Sequence, residues 1–117
     1  MRSLRRRPAP VRMFNTGHPD DDARLEVLAE DDGLRHAYSW SHFLWFEARE
    51  AAEEATERLE PAYTAKMVEN PIGPGWIVQA LREGVLLTPE AVTEARGELT
   101  GLAQVLGGRY DGWQAWV

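Results

Sequence analysis

Three histidines, two serines and a dense set of carboxylates are the residues of this chain whose types can do chemistry. His18 stands in "GHPDDD" beside Asp20, Asp21 and Asp22, and such an oxygen-rich run suits a hard cation. The same run suits the first turn of a helix, where acids answer the positive end of the dipole, and this is the reading we adopt. His36 and His42 lie on one stretch that reads as strand, so about 20 Å separates them and one metal cannot take both. Their expected role is structural: hydrogen-bonded and partly buried. Ser39 and Ser41 alternate with aromatics and lack the sharp Gly-x-Ser-x-Gly turn that presents a nucleophile. "PIGPG" (71–75) has glycines but neither the lysine nor the following helix of a phosphate loop. Glu50, Glu53, Glu54 and Glu57 recur at helical spacing as a solvated face, with no apolar pocket to drive their pKa values apart. The expectation is a protein that is not an enzyme, with no catalytic, cofactor or metal site.

Composition narrows the class further. A chain of 117 residues suits one domain with its own core. Cysteine is absent, which removes thiol nucleophiles, cysteine-ligated metals and disulfides and makes a reducing cytoplasm the expected compartment. The net charge is −6, yet residues 1–12 hold five arginines and no acid, so the remainder carries −11. Phosphate backbones repel so acidic a body, which disfavours direct nucleic-acid binding by it. Residues 1–19 read as a basic, disordered arm, and 20–117 as the folded domain. No apolar core of a secretory signal follows the arginines, and no run is long enough to cross a membrane.

The elements that must position these residues follow from periodicity. "DARLEVLAEDDG" (22–33) reads as a short helix with Leu25, Leu28 and Ala29 on one face, ended by Gly33. "LRHAYSWSHFLWF" (34–46) reads as a long strand with a bulge or bend near His42–Leu44, where alternation predicts that the apolar side switches. Residues 47–60 form a helix whose stripe is Ala48, Ala51, Ala52, Ala55 and Leu59; Glu54 and Arg58 make an i,i+4 pair, and Pro61 ends it. Alanines on that stripe leave room for large aromatics of a facing sheet. "AYTAKMVEN" and "WIVQALREG" read as a hairpin across "PIGPG". Thr88, Pro89 and Glu90 open a helix whose stripe is Val92, Ala95, Leu99, Leu102, Ala103 and Leu106, and Gly107-Gly108 close it. A last strand, "RYDGWQAWV", completes the order: a short helix, then β-α-β-β-α-β. The expected fold is α+β and ferredoxin-like, a four-stranded antiparallel sheet with two helices on one face.

That last strand is unusual for a chain end. Tyr110, Trp113 and Trp116 make it aromatic, and Asp111-Gly112 interrupts it with a residue pair that suggests a bulge, with Asp111 bonding to local amides. Core packing accounts for Trp40, Phe46 and Trp76. Trp113 is expected against the sheet or helices, while tryptophan and tyrosine also dominate binding hot spots. The candidate interaction residues are therefore Tyr110, Asp111, Gly112, Trp113 and Trp116, with Trp76 and His42 in support.

"RHAYSWSHFLWF", the Ala/Glu helix, "GPGWIVQALREGVLLTPEAV" and "GGRYDGW", in that order and spacing, resemble the ribonuclease E inhibitor protein B family, the RraB-like regulators of RNA degradation. The resemblance runs from about Asp22 to the end; Gly-Gly, one residue, then Tyr110-Asp111-Gly112-Trp113 is its most specific part. It implies a ferredoxin-like fold, no catalytic activity, and binding to a ribonuclease E-type endoribonuclease to dampen its action. The characterised type carries a long acidic tail after this strand, whereas this chain ends at Val117 and has a basic arm in front. The expected function is thus an acidic, cytoplasmic inhibitor or adaptor acting by protein–protein contact. Two alternatives belong to other classes: an RNA-binding module using the open sheet or the arm, and a self-associating structural domain.

Overall fold

Alternation and helical periodicity translate into seven elements in the computed structural model, which describes residues 14–31 and 33–117. They are α1 (Pro19–Asp31), β1 (Ala37–Phe46), α2 (Arg49–Leu59), β2 (Thr64–Glu69), β3 (Trp76–Leu86), α3 (Pro89–Val105) and β4 (Arg109–Trp116). Of the disordered arm expected over residues 1–19, residues 1–13 lie outside the described residues, while Thr16 donates to Asp22 and Pro19 already opens α1. The four strands form one sheet in the order β2-β3-β1-β4, and each neighbouring pair is antiparallel.

Local chemistry sets the element ends. Thr88 caps α3, its hydroxyl accepting from the Ala91 amide at 3.0 Å, with Pro89 in the first turn. At the other end the Gly108 and Gly107 amides donate back to the Ala103 and Gln104 carbonyls, with Gly107 left-handed at φ 78°. Glu60 before Pro61 is extended, at φ −79° and ψ 146°, and α2 stops there. Arg58 donates to Glu54 across one turn at 3.0 Å. Both side chains are about half exposed, and such a pair contributes about 0.3–0.5 kcal/mol.

The core lies between the helices and one face of the sheet. Tyr38, Trp40, His42, Leu44 and Phe46 of β1 all point into it and are buried. One half of the core joins Leu44, Phe46, Val78 and Ala80 to Ala52, Ala55 and Leu59 of α2 and Leu99 and Ala103 of α3. The other half joins Leu25 of α1 to Tyr38, Trp40, Trp113, Val92 and Ala95. The small stripe of α2 thus faces Leu44, Phe46 and Tyr63, as its alanines anticipate.

Three expectations are corrected. β1 begins at Ala37, because Leu34–His36 belong to the turn that follows Gly33. Its apolar side does not switch: the irregularity at His42–Leu44 is carried by β4, where Asp111 and Gly112 together oppose Phe43. β3 does not end at Gly84 but continues to Leu86, since Glu83 and Gly84 together oppose Ser39. Both bulges hold a left-handed glycine, Gly84 at φ 67° and Gly112 at φ 101°.

Candidate functional site

The Asp111-Gly112 bulge gives the terminal strand two different faces. Without the extra residue, Tyr110 and Trp113 would point to opposite sides of the sheet, because side chains alternate. With it, Tyr110 lies opposite Leu44 and Trp113 opposite His42, both on the core side. Arg109 pairs with Trp45 and Trp116 with Ser39, on the face that no helix covers among the described residues.

On the core side the motif builds a polar network. Asp21 of α1 is 1% exposed, and Arg96 of α3 grips it with two bonds, Nε to Oδ2 at 2.6 Å and a terminal nitrogen to Oδ1 at 2.8 Å. Trp113 Nε1 donates to the same Oδ1 at 2.9 Å. Burial pushes the Asp21 carboxyl up, but the bonds from Arg96 and Trp113 outweigh it and hold the group below the ordinary aspartate range. The Arg96 guanidinium in turn lies 5.0 Å from the centre of the Tyr110 ring. Tyr110 and His42 share a hydrogen bond, hydroxyl oxygen to Nδ1, at 2.8 Å. Burial, helped by the nearby Arg82 charge, pushes the His42 pKa down to about 3, so the imidazole is neutral at physiological pH. Its ring also meets Tyr63 edge-on and lies 4.4 Å from Trp40, centre to centre. His42 is thus a fully buried structural histidine joining β1 to β4.

On the open side the same strand holds a tryptophan still. Trp45 Nε1 donates to the Pro74 carbonyl at 2.9 Å, and the Arg109 guanidinium sits 4.5 Å over its ring. Arg109 donates to Asp111 at 2.9 Å, so Asp111 bonds a side chain where local amides were expected. Gly75, at φ 97°, approaches so closely that a Cβ there would lie 2.5 Å from Trp45 Nε1. Gly108 packs against the Trp45 carbonyl and the Phe46 ring, leaving no space for a side chain. The "PIGPG" turn is itself tied down: Asn70 donates to Pro74, and the Asn70 amide donates to the Gly75 carbonyl. Two glycine-rich segments distant in the chain therefore converge on Trp45.

The remaining candidates separate. Trp76 is half-buried against the core with Arg49 5.3 Å over its ring, away from Trp113. Trp116 is 43% exposed. Ser41 and His42 fall on opposite faces of β1, and Ser41 accepts from Gln79, so they make no nucleophile–base pair. Asp21, Asp22 and Asp111 have oxygens already bonded, to Arg96 and Trp113, to Thr16, and to Arg109. Sequence reasoning missed Asp21, Arg96 and Trp45 as network members. Asp21 was visible only as a helix-start acid and Arg96 lies off the apolar stripe of its helix, so nothing in the chain order paired them.

A search of curated proteins returns no match. The family model described as regulator of ribonuclease activity B matches residues 20–115, from the first turn of α1 almost to the end of β4. That span contains both glycine-rich segments, the bulged strand and the network it anchors, and on it the chain belongs to the regulator of ribonuclease activity B family.

Proposed function

We propose that this protein is a non-catalytic regulator that binds an RNA-degrading endoribonuclease of the ribonuclease E type and dampens its action by protein contact. The observation that carries this reading is the family match over residues 20–115, because the family is described by what it regulates. We read the sheet order β2-β3-β1-β4 with its helices as ferredoxin-like, a fold that hosts many functions and so carries no partner of its own. The arrangement of charge supports the partner class. Glu50, Glu53, Glu54 and Glu57 on α2 and Glu90, Glu94 and Glu98 on α3 are exposed on the helical side; Glu53 and Glu54 pair with Arg49 and Arg58, and the carboxylates still outnumber the basic residues of the two helices. A surface of that sign suits the basic, RNA-binding portions of a nuclease and competes there with RNA. The reading places the protein in the cytoplasm, with residues 20–117 as its working domain. The test is a pull-down of the host's ribonuclease E with the full chain, joined to an RNA-cleavage assay. Association with slowed cleavage is expected, and no association at low salt overturns the proposal.

A further inference from the structure

We infer that the open face of the sheet, centred on Trp45, is the surface that takes the partner, and that it takes a net-basic protein segment presenting aliphatic or aromatic side chains. This rests on the regulatory reading above and names the surface and the chemistry that serve it.

The face is apolar around Trp45, polar further along, where Gln79 donates to Ser41, and neutral in sum. Trp45 of β1 stands between Ile77 of β3 and Arg109 of β4, with Val68 of β2 beyond Ile77 and Phe43 next along β1; Trp116 lies at the other end of the face, opposite Ser39. The register puts two cations on it, Lys66 and Arg109, and two carboxylates, Glu83 and Asp111 in the bulges. Arg109 and Asp111 bond each other. Elsewhere residues 13–117 carry the whole excess of −11. An apolar patch on a protein whose remaining surface is strongly acidic selects a partner by two terms at once: burial of its apolar side chains and attraction of its opposite charge.

Trp45 has the attributes of an anchor. Its ring is fixed by the Pro74 bond, by Gly75 beneath it and by Arg109 over it, so little side-chain freedom is lost when a partner covers it. Tryptophan and arginine are the residues most enriched among binding hot spots. The turn that holds Trp45 also carries Ile72, which is 94% exposed.

Charge decides against the two other occupants. Single-stranded RNA can stack on aromatics, but it brings one phosphate per nucleotide to a body at −11, and one of the two cations on the face is already neutralised by Asp111. A second copy brings a further net charge of −6. A cationic protein segment alone gains from both the face and the field.

The experiment measures association and dissociation rates of the full chain with the host's ribonuclease E, across ionic strength, for several variants. Trp45→Ala removes the anchor; Trp116→Glu and Val68→Glu place charge at exposed positions of the same face where the fold is not at risk. A double Glu50→Gln, Glu57→Gln variant on α2, which leaves the Arg49–Glu53 and Arg58–Glu54 pairs in place, tests the field alone. Thermal melts establish that each is folded. Loss of affinity by roughly 30-fold in Trp45→Ala and Val68→Glu, mostly through faster dissociation, is expected, with a smaller loss in Trp116→Glu at the other end of the face. The α2 variant is expected to associate more slowly and dissociate at the unaltered rate. If the face variants dissociate as the native protein does, the surface is wrong while the regulatory reading stands. If no form binds the nuclease at low salt, the regulatory reading fails and the inference with it. Binding of a single-stranded RNA oligonucleotide abolished by Trp45→Ala, or dimerisation abolished by Trp116→Glu, overturns the inference in favour of RNA or of self-association.

Discussion

Asp21 and Arg96 form a buried ion pair whose two members belong to different helices, which makes it a test of how α1 is held. Taking a carboxylate out of water is costly, and what retains it here is three hydrogen bonds. Removing one partner leaves a buried charge, so Arg96→Met should destabilise the fold by about 3–5 kcal/mol. Asp21→Met combined with Arg96→Met should lose much less than the two single losses added together. Urea unfolding of the four forms reads both quantities. His42 makes a second prediction. Its folded pKa, about 3, lies below the roughly 6.5 of an unfolded histidine. Between these values the unfolded chain holds more protons, so stability is full above about pH 6.5 and falls with acidification by up to about 1.4 kcal/mol per pH unit. His42→Gln should flatten that slope between roughly pH 6 and pH 4 when urea midpoints are followed across pH. Asp21 enters only lower, as pH falls through its depressed pKa.

At the scale of elements, β4 owes its two faces to a single glycine. Gly112 sits at φ 101° with open space around its Cα, so alanine there meets backbone strain and no clash. Gly112→Ala should therefore cost about 1–2 kcal/mol and leave the packing of Trp113 in place. Gly75→Ala meets both strain and contact, with the Phe46 carbonyl 2.6 Å from the new Cβ. It should be the more destabilising of the two and should displace Trp45, seen as a shift of tryptophan emission toward that of an exposed ring. An equal effect of the two substitutions would remove the argument that Gly75 exists to seat Trp45.

Across the whole molecule, exposed glutamates collect on the helical side, while the open sheet face is neutral in sum and apolar around Trp45. A field of that kind acts at long range and is screened within about 8 Å at physiological ionic strength. Association with a basic partner should therefore slow as salt rises, while dissociation from the apolar face stays nearly constant. Stopped-flow rates at several ionic strengths check this; equal salt dependence of both rates would place the contact on the charged side instead.

The chain order carried the element types, the cap at Thr88, the glycine exit after α3 and the bulge at Asp111-Gly112, because each follows from local rules of hydrogen bonding and backbone freedom. Family membership was legible for the same reason: "GGRYDGW" is a local pattern. The pairing of Asp21 with Arg96, separated by 75 residues, was not legible, and neither was the seat that Pro74 and Gly75 make for Trp45. Alternation along a strand says which residues share a face, but not which face meets the helices or which distant acid meets which arginine. Those depend on how strands are ordered and registered in the sheet. The bulge in β4, legible as a glycine, took its meaning only from the partner strand, where one extra residue lets Tyr110 and Trp113 enter the core while Arg109 and Asp111 stay outside.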